Sequence, residues 1–259
     1  IPNSVTSIRY KTFSNCTSLK NIIIPNNVTS IGNCAFLNCK SLVNVTIPDS
    51  VTSIGSSAFD NCTSLTSVTI PNSVISIGSS AFDNCTSLTS VTVPNSVTSI
   101  GSSAFNNCTS LASVVIGNGV TSISEGTFEY CTNLVWMTIG NGVTCIDSWA
   151  LYGCKNLSHV FYRGNESEWD NISQSLPYNI IIHYNSDGSI IFDKTVLPSC
   201  TEKGYDLYSC SECENGVKAN FTDALGHNFV NGICEHCGKD ELDCIESAHP
   251  YENDTDEKW

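Results

Sequence analysis

Two Cys-x-x-Cys pairs, Cys210 with Cys213 and Cys234 with Cys237, stand twenty residues apart near the C-terminal end of the chain. Four thiolates at that spacing suit zinc, because two tight turns each present a pair of sulfurs to a tetrahedral ion. Cys200 and His227 make a competing set possible, in which Cys200, Cys210, Cys213 and His227 are the ligands, and His236 is a further nitrogen beside the second pair. The other chemistry open to these residues is a disulfide staple, since about forty residues hold too little core to fold without a cross-link. Either way the expected role is structural, with zinc as the one candidate cofactor. Every position is a ligand type, and no spare base or open coordination position accompanies them.

Elsewhere, spacing does not bring reactive residue types together. Hydrolysis needs a nucleophile with a base, or a carboxylate pair, set in a cleft. Residues 1–162 offer six scattered acids (Asp49, Asp60, Asp83, Glu125, Glu129, Asp147), no aligned His and Asp, and so many Ser and Thr that none is singled out. Glu166, Glu168, Trp169 and Asp170 lie together and read as a surface loop. The chain is therefore expected not to be an enzyme. Residues 1–162 are nearly neutral, at −1, while the remainder carries −13 of the total −14. That balance argues against nucleic acid, which needs a basic face to neutralise phosphates. No apolar run approaches the roughly 20 residues of a membrane helix, so a soluble chain without membrane insertion is expected. The absence of an initiating Met or leader suggests a piece of a longer protein.

Any site must be positioned by a repeat. SSAFDNCTSLTSVTIPNSV at 56–74 returns at 79–97 with one Ile to Val change, a period of 23 residues. Self-similarity at a fixed spacing is the signature of stacked units. The column Ile1, Ile24, Ile47, Ile70, Val93, Ile116, Ile139 keeps step without insertion, as do the columns Phe13 to Phe128 and Cys16 to Cys154, so seven repeats fill residues 1–162. A Cys recurring in every unit reads as a small buried hydrophobe. Cys34 and Cys145 sit five repeats apart, too far to pair with each other. With fifteen cysteines at least one thiol stays free or pairs between chains.

Within a repeat, Val68, Thr69 and Ile70 alternate in, out, in, as a half-buried strand does. Pro71 ends the ladder, and Pro-Asn suits the middle of a tight turn. Val74 and Ile77 resume an extended piece, and Gly78 allows a bend. Ser79 or Ser80 is placed to cap about one helical turn carrying Ala81, Phe82 and Cys85. No unit of that size buries its apolar face alone, so each copy recurs as the neighbour on which the previous copy packs.

The pattern Leu-x-x-Val-x-Ile-Pro-x-x-Val-x-x-Ile-Gly-x-x-Ala-Phe-x-x-Cys of Leu65 to Cys85 resembles the BspA-like leucine-rich repeat family, over residues 1–162. VFYRGNESEWDNISQSLPYNIIIHY (160–184) is similar to the segment that closes such arrays. The resemblance implies an α/β repeat solenoid, a right-handed leucine-rich-repeat superhelix with a parallel concave β-sheet, on a secreted or cell-surface protein of a bacterium or protist. Some members act as adhesins toward host matrix proteins or other microbes, and no catalytic residues come with the family. Residues 199–238 are similar to small Cys/His modules of secreted gut-bacterial proteins, whose outline favours the Cys200, Cys210, Cys213, His227 set. HPYEN…W near the end looks like the first strand of a CUB-like domain, with an acidic linker as the alternative. The expected organisation is a solenoid at 1–162, a capping segment at 163–185, a Cys/His-rich module at 186–239, and that linker or truncated domain at 240–259.

Outward positions of the strands then carry the functional expectation. One column reads Asn21, Asn44, Ser67, Ser90, Ser113, Trp136, His159 and the next Ile23, Thr46, Thr69, Thr92, Val115, Thr138, Phe161. A bland Ser/Thr ladder gives way at its C-terminal end to Trp136, Thr138, His159 and Phe161, and exposed aromatics beside polar groups are common binding anchors. The competing reading has the closing segment folding over these side chains, because solenoid ends need cover. The function expected is binding or adhesion toward a host or microbial surface protein or glycan. A spacer, or the targeting arm of a larger secreted enzyme, is the alternative.

Overall fold

The computed structural model describes residues 1–174, 176–177 and 179–186 in full, together with the backbone of strands Ile190–Val196, Gly204–Cys210, Val217–Thr222, Phe229–Val230 and Ile233–Cys234. The chain divides into two compact units, Ile1–Ser189 and Ile190–Trp259.

The first unit is a parallel β-solenoid. Each repeat contributes one strand to each of two columns. Asn21–Ile23, Asn44–Thr46 and Ser67–Thr69 form one sheet of the first column, continued by Ser90–Val93, Ser113–Ile116, Trp136–Ile139 and His159–Tyr162. The second column runs from Ser7–Ile8 through Ser99–Ile100, then Ser122–Ile123 and Cys145–Ile146. Pairing is parallel and in register with the repeat, so that Ser90 faces Ser113 and Val91 faces Val114. In the middle coils the alternation is as expected, with Ser67 and Thr69 exposed and Val68 and Ile70 buried. Pro71 takes the first position of the turn, where its carbonyl accepts from Val74 N–H at 3.1 Å, and Asn72 and Ser73 are its centre.

The Ala-Phe segment is not the helical turn its spacing suggests. Ser57 and Asn61, Ser80 and Asn84, and Ser103 and Asn107 hold positive φ between 52° and 58°, which breaks any right-handed run. Alternate N–H groups donate across coils instead: Ser57 to Ser79 O (2.8 Å), Phe59 to Ala81 O (2.7 Å) and Asn61 to Asp83 O (2.8 Å). The groups between them close short turns within the coil, as Cys62 N–H does on Phe59 O (3.1 Å). Asn suits the left-handed conformation because its short polar side chain tolerates it, and Asn107 Nδ2 donates to Asn84 Oδ1 at 2.7 Å.

Gly78 has a different use from the expected bend. A Cβ there would lie 2.6 Å from Gly55 C and 2.8 Å from Ser56 Cα, so glycine lets the two coils approach. Inside the stack, Phe13, Phe36, Phe59, Phe82, Phe105 and Phe128 form a continuous ladder with centroids 5.0 to 5.5 Å apart and planes within 9°. The Cys column runs beside it, buried from Cys39 onward and with every thiol free. From Cys39 to Cys154 each thiol also donates backwards, Cys85 Sγ to Phe59 O at 3.2 Å and Cys108 Sγ to Phe82 O at 3.2 Å. Burial pushes the thiols of Cys39, Cys62, Cys85, Cys108 and Cys131 up, Cys39 to about 11 and Cys85 well above the ordinary range, and keeps them inert as nucleophiles.

Residues 163–186 add an eighth coil of altered proportions. Ser173 bridges Cys145 in the second column and Ile181–His183 pairs with His159–Tyr162 in the first. The helix Glu166–Trp169 lengthens the first half of this coil. Its N-terminus is closed by a capping box, in which Asn165 Oδ1 accepts from Glu168 N–H (3.0 Å) and Glu168 Oε2 accepts from Asn165 N–H (2.9 Å). Trp169 packs on Tyr162 at 5.1 Å, so the carboxylates expected in a surface loop sit on a short capped helix. The return from Ser173 to Ile181 takes eight residues where Cys145 to His159 takes fourteen. This coil therefore has no Ala-Phe segment.

The second unit contains an antiparallel three-stranded sheet, with Gly204–Cys210 central between Ile190–Val196 and Val217–Thr222, and a hairpin of Phe229–Val230 with Ile233–Cys234. Cys210 pairs with Ile190 and Cys234 with Phe229 as backbone positions. Cys200, Cys213, His227 and Cys237 lie outside the described residues, as does 240–259.

Candidate functional site

The strand register brings the four expected residues together. Trp136 pairs with His159 and Thr138 with Phe161 across adjacent parallel strands. Their surroundings differ from a free concave face, however. Ile181–His183 adds a further strand on His159–Tyr162, setting His183 opposite Phe161. The rings of Phe161 and His183 stack at 4.5 Å and 11°.

Phe161 is 1% exposed and Thr138 is fully buried, so the expectation that these two face solvent is corrected. The cause is the eighth coil together with Trp136, which lies edge-on to Phe161 at 6.3 Å and 84°. Trp136 and His159 remain half-buried, with part of each ring toward solvent. His159 Nδ1 and His183 Nε2 share a hydrogen bond at 3.1 Å. Such a bond needs one ring to donate and the other to accept. Burial, and then the charge of His183, push the pKa of His159 down, so the neutral ring is favoured. The arrangement is a rigid aromatic edge on a sheet of small polar residues. Among the described residues, no group of three or more His, Cys, Asp or Glu is placed to hold a metal.

A second aromatic group lies on the turn-rich side of the last coils. Tyr130 and Tyr152 meet edge to face at 5.6 Å, and Trp149 and Tyr152 at 4.8 Å with planes 52° apart. All three are exposed, at 44%, 52% and 54% for Tyr130, Tyr152 and Trp149. The strand columns do not reveal them. Their signal is in the turn columns, where Trp149 follows Ser80, Ser103 and Gly126, and Tyr130 follows Asn84 and Asn107.

A parallel solenoid of 23-residue coils, with one face of small polar residues and a Phe and Cys ladder inside, is a leucine-rich repeat protein. The family described as BspA type leucine rich repeat region (6 copies) matches residues 1–112 and 52–175, and the chain belongs to it. Solved structures agree. A leucine-rich repeat protein from Bacteroides ovatus is 33% identical, with a TM-score of 0.58, over 61% of this chain and 43% of that one. The leucine-rich repeat protein of T. pallidum is 38% identical, with a TM-score of 0.56, over 59% of this chain and 72% of that one. The pneumococcal vaccine antigen PcpA shares the fold at 18% identity and a TM-score of 0.50, over 63% of this chain and 40% of that one. The chain thus spans less than half the length of the Bacteroides ovatus and PcpA structures. No curated protein matches it.

Proposed function

We propose that this chain is a non-catalytic recognition protein of the secreted or cell-surface kind, binding a host or microbial protein or glycan through the C-terminal part of its strand face. The observation that carries this reading is Trp136. It is partly exposed where the small, mostly polar side chains of the strand face give way to aromatic ones, and it packs edge-on against buried Phe161, itself stacked on His183. An aromatic held in place before binding contributes contact area at little entropic cost. Family membership supports the surface location, through the resemblance to BspA-like surface proteins. Among the described residues, no helix is long and apolar enough to cross a membrane.

The test is binding of the chain to immobilised matrix proteins and a glycan array, beside a folded Trp136→Ser variant. The expected outcome is binding by the parent that falls at least tenfold in the variant. Unchanged binding moves the site elsewhere. A spacer or targeting arm is the second reading, favoured by the burial of Phe161 and Thr138, and an inert parent chain would support it. The 186–239 module is assigned a structural role through zinc or disulfides at Cys200, Cys210, Cys213, His227, Cys234 and Cys237. Metal analysis of the protein purified without chelator distinguishes the two, with one equivalent of zinc expected for the metal and none for the staple.

A further inference from the structure

We propose that the turn-rich side of the seventh coil carries a second binding site, a cleft for a neutral oligosaccharide in which Trp149 and Tyr152 stack on successive sugar rings. The cleft measures about 550 Å³ and is lined by Ser148, Trp149, Tyr152, Lys155, Leu176 and Pro177. That volume lies in the range of about 300–1,000 Å³ usual for small-molecule sites. Its origin is the shortened return of the eighth coil. Six residues fewer between the two strand columns bring Leu176 and Pro177, rather than another Ala-Phe turn, beside the turn of coil seven.

The aromatics are placed against local preference. Tyr130 and Trp149 occupy left-handed positions, φ 57° and 65°, that the preceding coils give to Asn107 and to Ser103 and Gly126. A bulky side chain in that region is an outlier whose cost the surrounding fold must offset. Stacking against the core does not explain the choice, since the three rings are about half exposed. Gly153 makes room for them. At φ 77° it stands in the Asn column, and a Cβ on it would lie 2.6 Å from Tyr130 Cδ1. Tyr130 thereby buttresses Tyr152, which in turn touches Trp149.

The chemistry of the occupant follows from exposure, charge and tilt. An aromatic face is electron-rich and attracts the weakly positive axial C–H groups of a pyranose. A sugar stacked there keeps its hydroxyls at the rim, near Ser148 and Lys155, where water also reaches them. The half-exposed rings leave an occupant's outer face to water, which suits a sugar's hydroxyls and not a purely aliphatic ligand. Among the described residues Lys155 is the one charged side chain lining the cleft, and the unit that carries it, Ile1–Ser189, holds ten acids against six bases, so no cluster of positive charge is offered to an anionic glycan. The planes of Trp149 and Tyr152 differ by 52°, which suits a chain whose successive rings turn, as α-linked glucans do, better than a flat β-linked ribbon.

Calorimetric titration with maltoheptaose and with cellohexaose tests this on the whole chain. Maltoheptaose is expected to bind, cellohexaose at least fivefold more weakly. Trp149→Ala and Tyr152→Ala should each weaken maltoheptaose at least tenfold with little change in the urea midpoint, and Tyr10→Ala, at an exposed aromatic of the first coil, should leave it intact. The proposal is overturned if neither sugar binds, if cellohexaose binds as well as maltoheptaose, or if Trp149→Ala binds like the parent. It is also overturned if the chain forms a dimer that Trp149→Ala dissociates, which would give the cleft to a second copy. Silence toward both sugars alongside Trp136-dependent binding to a matrix protein would remove this site and leave the strand-face reading standing.

Discussion

The coils between residues 56 and 100 and those beyond residue 120 are built on one backbone plan and spend their variable positions differently. In the middle coils nearly every residue serves the neighbouring coil. Phe82 stacks between Phe59 and Phe105, Cys85 donates to Phe59 O, and outward positions hold Ser and Thr. Beyond Tyr130 the inward columns persist while the outward ones change to Trp136, His159, Trp149 and Tyr152. Stacking fixes what faces inward, and only the outward positions are free to acquire a partner.

The sharpest way to break that contrast is to truncate each region in turn. Phe82→Ala, in the ladder and fully buried, should cost about 3–5 kcal/mol by urea denaturation. Trp149→Ala, half exposed, should cost about 0.5 kcal/mol or less. Equal costs would erase the distinction. Gly78→Ala comes next, since its Cβ would press on the backbone of the preceding coil; an overpacking loss of about 1–3 kcal/mol is expected, measured the same way.

Acid should separate the regions with opposite sign. Asp83 is held up at about 6, by desolvation first and then by the Asp60 charge, against an ordinary value near 4. Its folded form prefers the proton, so a penalty present above pH 6 is relieved as pH falls from about 6 toward 4. Asp83→Asn should therefore raise stability at pH 7 by on the order of 1 kcal/mol, discounted because the side chain is partly solvated, with the gain vanishing near pH 4. His159 works the other way. Its folded pKa is lowered, so its contribution is present above the unfolded value of about 6.5 and is lost as pH falls from there toward the lowered folded value. Hydrogen exchange from pH 7 to 5, corrected for intrinsic rates, should show the amides of His159–Tyr162 losing protection relative to those around Asp83. Parallel changes in both regions would contradict this.

The inward architecture was legible because each column repeats without insertion, so the Ile70 column is read seven times and the Phe82 column six rather than once. The helical turn was misread because Ala81, Phe82 and Cys85 face inward equally well from a backbone interrupted by left-handed Ser80 and Asn84. The spacing alone does not distinguish the two. Burial of Phe161 depended on which strand follows His159–Tyr162, and residues 163–186 keep no repeat from which to count. Trp149 and Tyr152 were visible as departures in the turn columns. Their meaning required the shortened eighth coil that opens a cleft beside them.

The most direct test of the division of labour is a binding comparison on protein and glycan surfaces between two folded variants, Trp136→Ser with Trp149→Ala in the last coils and Thr69→Ala with Thr92→Ala in the middle ones. The account predicts that the first pair abolishes binding and the second leaves it within about twofold, as expected for near-neutral surface contacts. Binding that survives the first pair and is lost in the second would place recognition on the Ser/Thr ladder and contradict it.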